Sequence, residues 1–194
     1  MPKILAFAGS SRKESFNKIL VKIAASGAEN AGAEVTLIDL ADYPMPLFNQ
    51  DLEAEQGMPD AAHKFKKMLV EHDGFLIASP EYNSAFSPLL KNAIDWASRA
   101  ESKDEPPLVA YKGKVAAIMA TSPGGLGGIR GLVFLRMLLG NIGVTVIPEQ
   151  IAVPHAMKAF ADDGSLVDDK QQQAVLNLGE KVSQVAAQLA VKYK

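Results

Sequence analysis

Short apolar runs recur along the chain, each followed by a stretch in which apolar residues return every three or four positions. Ile4-Leu-Ala-Phe-Ala8 is apolar without alternation, as expected of a central strand covered on both faces. A helix is predicted over residues 16 to about 30, with Ile19, Leu20, Ile23, Ala24 and Gly27 inward and Gly32 as its stop. Residues 34–39 set Val35 and Leu37 against Glu34 and Thr36, the alternation of a strand with one less protected face, near a sheet edge. Residues 40–59 read as a long irregular connection, because Pro44, Pro46 and Pro59 oppose regular structure. That connection still carries Tyr43, Met45, Leu47 and Phe48, and long loops in compact domains are usually functional or packed on something. A helix over about 60–71 leads into a third strand, Phe75-Leu-Ile-Ala78.

The third strand opens onto a polar-aromatic loop, Glu81-Tyr82-Asn83-Ser84, and then a helix. Ser87 suits the N-cap and Pro88 the first helical position, and Leu89, Leu90, Ala93, Ile94 and Ala97 share one face. A fourth strand, Lys114-Val-Ala-Ala-Ile-Met-Ala120, is followed by Ser122-Pro-Gly-Gly-Leu-Gly-Gly128 and a helix over about 129–139. Residues 144–147 form a fifth strand, residues 148 to about 168 read as irregular, and a last helix uses Val175, Leu178, Val182, Val185, Ala186 and Leu189. Strands alternating with helices mean a parallel sheet with right-handed crossovers. The expectation is an α/β fold: a flavodoxin-like three-layer sandwich with five parallel strands in the order 2-1-3-4-5, as one domain over residues 1–194. In that order strands 1, 3 and 4 are neighbours, and the loops that follow them are the three unusual ones.

Composition narrows the classes. The 194 residues carry a net charge of −2 with both signs mixed, which argues against a nucleic-acid partner. No apolar run reaches the roughly 18–20 residues of a membrane span, and the start of the chain lacks the layout of a signal peptide, so a cytoplasmic location is expected. Cysteine is absent, which removes disulfides, thiolate metal sites and a cysteine nucleophile. His63, His72 and His155 fall in no H-E-x-x-H pattern, and no G-x-S-x-G elbow occurs. His63 sits on a charged helix and reads as a solvated side chain.

The first loop offers Ser10, Ser11, Arg12, Ser15 and Asn17 at a helix entrance, where free N–H groups and the helix dipole favour an anion. This suits a phosphate monoester, while simple N-capping by Ser15 is the plainer reading. Neither G-x-x-x-x-G-K-[ST] nor G-x-G-x-x-G follows the first strand. Gly124, Gly125, Gly127 and Gly128 either let backbone groups approach a flat ligand closely or form a flexible turn. The combination supplies a phosphate site, an aromatic-amide loop and a glycine loop, but neither an acid–base pair nor a nucleophile. A cofactor bringing its own chemistry accounts for that.

Three stretches together, Gly9-Ser-Ser-Arg-Lys-Glu-Ser-Phe-Asn17, Pro80-Glu-Tyr-Asn83 and Leu90-Lys-Asn-Ala-Ile-Asp-Trp96, resemble the flavodoxin-like NADPH-dependent FMN reductases, a family that includes quinone, azo-dye and chromate reductases. Pro46-Leu-Phe-Asn49 and Ser122-Pro-Gly-Gly125 also stand in family positions, and the likeness runs from residue 3 to about 150. The resemblance implies noncovalent FMN, its phosphate on Ser10, Arg12, Ser15, Phe16 and Asn17. Its ring would lie by Pro80, Glu81, Tyr82 and Asn83, with Ser122, Gly124 and Gly125 opposite. It further implies NADPH or NADH as co-substrate, a small-molecule electron acceptor such as a flavin or quinone, and a homodimer or homotetramer. In the family the helix after the third strand lies near that contact, so the resemblance leaves Trp96 equally as part of it or as core. The chain departs from the family at Ala85 and at Ser87-Pro88-Leu89, changes expected to affect the pocket rim. An FMN-holding electron-transfer protein without pyridine-nucleotide activity is the competing reading.

Overall fold

The computed structural model describes residues 1–192, and side chains as far as residue 189. Five parallel strands run β1 (Lys3–Ala8), β2 (Glu34–Asp39), β3 (Gly74–Ala78), β6 (Val115–Thr121) and β7 (Thr145–Val153), in the sheet order β2-β1-β3-β6-β7. With the two strands of a small hairpin left out of the count, this is the expected order 2-1-3-4-5. Helices α1 (Phe16–Asn30) and α7 (Asp169–Lys192) cover one face, and α3 (Asp60–Glu71), α4 (Pro88–Ala97) and α5 (Ile129–Asn141) the other.

Strand periodicity divides the core in two. Ile4, Ala6, Leu76, Ala117 and Met119 point toward Leu20, Ala24, Leu178 and Val182, whereas Leu5, Phe7, Phe75, Ile77 and Ile118 point toward Phe65, Leu69, Leu90, Ile94, Leu132 and Leu135. β1, β3 and β6 are buried on both faces, which is why their sequences do not alternate. β2 is half-exposed at the sheet edge, as its alternation predicts. Phe7 and Phe65 meet edge to face at 5.6 Å. A buried phenylalanine of this kind contributes about 1.5–3 kcal/mol. α1 and α7 cross backbone to backbone: a Cβ at Gly27 would lie 2.0 Å from the Leu176 carbonyl oxygen, and one at Gly179 1.8 Å from that of Ala24.

Three segments differ from expectation. Residues 40–59 are not structureless: a 3-10 turn at Leu40–Asp42 is followed by α2 (Gln50–Gln56), whose N-cap Asn49 accepts from the Asp51 N–H at 2.7 Å. The prolines flank that helix without entering it. The fifth strand does not stop at residue 147, since β7 continues to Val153 through a bulge opposite Ala116 and Ile118. Pro148 is tolerated there because β7 is an edge strand, and Arg136 holds the bulge by donating to the carbonyls of Val146, Ile147 and Pro148 and to Gln150 Oε1. The supposedly irregular stretch beyond it contains α6 (Ala156–Ala159) and a bridge between Phe160 and Leu166. Finally, Glu81–Tyr82 (β4) and Ala85–Phe86 (β5) pair as a hairpin, turning on Asn83 and Ser84 at φ of 50° and 71°. No helix among the described residues is long and apolar enough to cross a membrane.

Candidate functional site

β1, β3 and β6 end side by side, and a cavity of about 300 Å³ lies between the loops that leave them. The first loop and α1 contribute Ser10, Arg12, Ser15, Phe16 and Asn17 to its walls, the second contributes Pro80, Glu81 and Tyr82, and the third Thr121, Ser122 and Pro123. Asn83 is exposed at the hairpin tip, and Gly124 and Gly125 lie on the exposed rim beyond Pro123, so these three are outside the walls of this cavity. Thr121, Pro123 and Met157 line it without having been picked out in the sequence. Met157 arrives from α6, inside a segment that reads as irregular in the sequence.

The entrance to α1 is built to receive an anion. Ser15 is its N-cap, yet the hydroxyl makes no cap hydrogen bond, and the N–H groups of Phe16 and Asn17 have no acceptor among the described residues. Arg12 has no carboxylate partner among the described residues, and its guanidinium lies over the Phe16 ring at 5.6 Å, with Phe160 stacked on Phe16 at 5.5 Å. Free donors, an unpaired guanidinium and the positive end of the helix dipole converge on one cavity wall, which fits the phosphate of FMN. One turn on, Lys18 is spent on Asp39. Burial pushes the Asp39 carboxyl up, but the bonds from Lys18 and the Ala41 N–H outweigh it and leave the group below its usual range.

Asn17 is positioned differently from a ligand-binding amide. Its Nδ2 donates to the Thr121 carbonyl and its Oδ1 accepts from the Thr121 N–H, both at 3.1 Å, while the Thr121 hydroxyl donates to the Val153 carbonyl at 2.8 Å. The side chain ties α1 to the ends of β6 and β7, and only its backbone N–H remains for a ligand. Ser87 performs a similar task behind the pocket: its hydroxyl caps the Leu90 N–H at 3.2 Å and donates to the Gly9 carbonyl at 2.5 Å. Gly9 lacks a Cβ where one would come within 3.0 Å of Leu90 Cβ, so the first loop sits directly against α4. Ser87 is therefore a buried brace rather than part of the rim, and Ala85 packs against Gly131 of α5.

Glu81 links the second loop to the third. Its Oε2 accepts from the N–H groups of Arg130 and Gly131 at 3.1 and 3.3 Å, and its Oε1 pairs with the Arg130 guanidinium at 2.5 and 2.8 Å. The N-cap of α5 is Gly128 at φ +89°, which has no side chain to cap with, so Glu81 does so from another loop. A Cβ on Gly128 would meet that of Ala120 at 2.8 Å. Gly124, by contrast, faces open space. The glycine loop thus contains both packing glycines and one that leaves room for a ligand.

The long connection is strapped onto α4. The Pro46 carbonyl accepts from Asn92 Nδ2 and Trp96 Nε1 at 2.9 and 2.8 Å, the Phe48 N–H donates to Asn92 Oδ1 at 2.8 Å, and Arg99 pairs with Glu53. Trp96 is fully buried, which settles it as core. His63 is half-exposed and lies 3.2 Å from Glu101.

A parallel sheet in this order, with a donor-rich pocket at the carboxyl ends of its inner strands, defines a flavodoxin-like protein. Residues 2–158 match the family model for NADPH-dependent FMN reductase, and the chain belongs to that family. It is 35% identical to an NAD(P)H-dependent FMN reductase of Pseudomonas aeruginosa over 89% of each chain. It is also 36% identical to an NAD(P)H:quinone oxidoreductase of Solanum tuberosum, covering 88% of this chain and 86% of that one. The structure of FerB from Paracoccus denitrificans, a flavoenzyme NAD(P)H:(acceptor) oxidoreductase, superimposes with a TM-score of 0.80 at 29% identity, over 97% of this chain and 98% of that one. The chain is an NAD(P)H-dependent oxidoreductase that uses FMN.

Proposed function

We propose that the chain is one FMN-binding domain whose cavity between the loops after β1, β3 and β6 holds FMN noncovalently and serves electron transfer from NADPH or NADH to a quinone-type acceptor. The uncapped entrance of α1 carries the reading: Ser10, Arg12 and Ser15, with the N–H groups of Phe16 and Asn17, supply donors to one phosphate. Pro80, Glu81, Tyr82 and Asn83 flank the ring, with Ser122, Gly124 and Gly125 on the other side. Bound FMN supplies the redox chemistry, hydride acceptance and two-electron donation. The chain's own residues bind and orient it: Glu81 fixes the spacing of the two ring-flanking loops, and Asn17 fixes the phosphate wall against β6. Tyr82, 55% exposed beside the pocket, is placed to cover a flat co-substrate. The quinone acceptor is supported by the Solanum tuberosum relative.

A homo-oligomer in the cytoplasm completes the proposal. Val133, Phe134 and Met137 on the outer side of α5 are 60, 46 and 58% exposed, an apolar strip that a second copy would cover. With Trp96 inside the core, α5 is the more suitable contact than α4. The test is an absorption spectrum of the purified protein followed by anaerobic mixing with NADPH and then a quinone. Yellow protein that bleaches and recovers its colour is expected. Protein that binds no FMN on reconstitution overturns the reading, and a flavin left oxidised by NADPH points instead to an electron carrier. Sedimentation should show at least a dimer, which Met137→Glu weakens.

A further inference from the structure

A second cavity, about 620 Å³, shares Pro123 and Met157 with the first and is lined otherwise by Pro154, His155, Lys158, Ala159, Val167, Asp168 and Gln171. Three of its polar side chains are donors without work to do. The Lys158 ammonium is exposed and enters no ion pair or hydrogen bond among the described residues, and neither do the His155 ring and the Gln171 side-chain amide. Asp168, the one carboxylate in the lining, turns its Oδ1 to the start of α7, accepting from the N–H groups of Lys170 and Gln171 at 2.8 and 3.1 Å. Met157 and Val167, 73 and 66% exposed, add an apolar surface. His155 is held left-handed, at φ +54°, by donating its N–H to the Gly124 carbonyl at 3.2 Å, while the Ala156 N–H donates to Ser122 at 3.0 Å. The strained turn therefore anchors this cavity to the glycine loop that flanks the first one.

We propose that this cavity receives the adenosine arm of the nicotinamide coenzyme, with Lys158 and His155 meeting the 2′-phosphate that distinguishes NADPH from NADH. The inference rests on the FMN site above and deepens it. A coenzyme whose nicotinamide reaches that site must lodge its remaining length against a neighbouring wall, and the wall shared through Pro123 and Met157 leads into a cavity of matching chemistry. The Lys158 ammonium and the N–H donors beside it suit a phosphate, and the apolar side suits a purine.

Equilibrium binding of adenosine 2′,5′-bisphosphate and of 5′-AMP to the FMN-loaded protein tests this by calorimetry. The bisphosphate should bind about three- to tenfold more tightly than 5′-AMP, and compete with NADPH. Lys158→Gln should erase that ratio and lower the NADPH-over-NADH ratio of kcat/KM, and Lys158→Glu should invert it. Equal affinity for the two nucleotides, or an unchanged ratio in Lys158→Gln protein, overturns the inference while yellow, NADPH-reducible protein leaves the FMN reading standing. Colourless protein that cannot be reconstituted fails the FMN reading itself, and bisphosphate binding is then scored separately on the same sample.

Discussion

The N-termini of α1 and α5 flank the same cavity and are treated in opposite ways. At α5 the cap residue is a glycine, and Glu81 from the hairpin fills the place of the missing acceptor while pairing with Arg130. At α1 the cap residue is a serine that caps nothing, the first N–H groups are free, and Arg12 is unpaired among the described residues. Both ends present the same partial positive charge. One is neutralised from within and becomes part of the frame; the other stays open for a charge that arrives with a ligand. An acid at a pocket wall is thus distinguished from a binding residue by whether its oxygens are already taken.

The comparison can be broken most sharply at Glu81. Glu81→Gln removes the charge at the α5 entrance and leaves Arg130 unpaired, so the apoprotein should lose about 2–3 kcal/mol, measured by urea denaturation. Arg12→Ala should do the reverse. FMN affinity falls at least roughly tenfold by fluorescence titration, while apoprotein stability stays within about 0.5 kcal/mol. An unchanged FMN dissociation constant would remove Arg12 from the site. Ser15→Ala separates the two roles of a cap: FMN binding weakens by about 0.5–1.5 kcal/mol, and stability changes by less than the roughly 1 kcal/mol usual for a lost N-cap. A full capping penalty would show that the serine serves the helix after all.

The smallest effect concerns pH. The Asp39 carboxyl is held below its usual value in the folded chain, so its contribution is complete above the unfolded value, about 4, and is lost as pH falls through the lower folded value. Acid titration of stability should be shallower in Asp39→Asn protein, which also frees Lys18 one turn inside the open helix end. An unchanged slope would mean that the pair contributes nothing to acid sensitivity.

Much of this was legible in the chain because it is local. Doubly buried strands have to be continuously apolar, β2 has to alternate, and Ser87-Pro88 announces a helix start. Three odd loops on three adjacent strands gave the position of the pocket. What escaped depends on partners far away in sequence. Nothing near Glu81 says that its carboxylate will cap a helix beginning at Ile129, and nothing near Asn17 says that Thr121 will occupy its amide. α2 was hidden among prolines that only border it, and β7 passes through Pro148 because Arg136 satisfies the bulge from another element. Met157 entered the pocket on a segment whose order comes from contacts with the glycine loop rather than from its own pattern.

The crossing of α1 and α7 has a consequence for how the chain comes to be made. α1 ends at Asn30 and α7 begins at Asp169, yet Gly27 and Gly179 press each helix onto the other's backbone. During synthesis α1 emerges well before α7, and its Ala24 and Gly27 groove stays uncovered until α7 has been made. The donor-rich wall of the cavity stands on α1, so that wall gains its full support only once α7 has been made, and a nascent chain still lacking α7 would present an uncovered groove to chaperones.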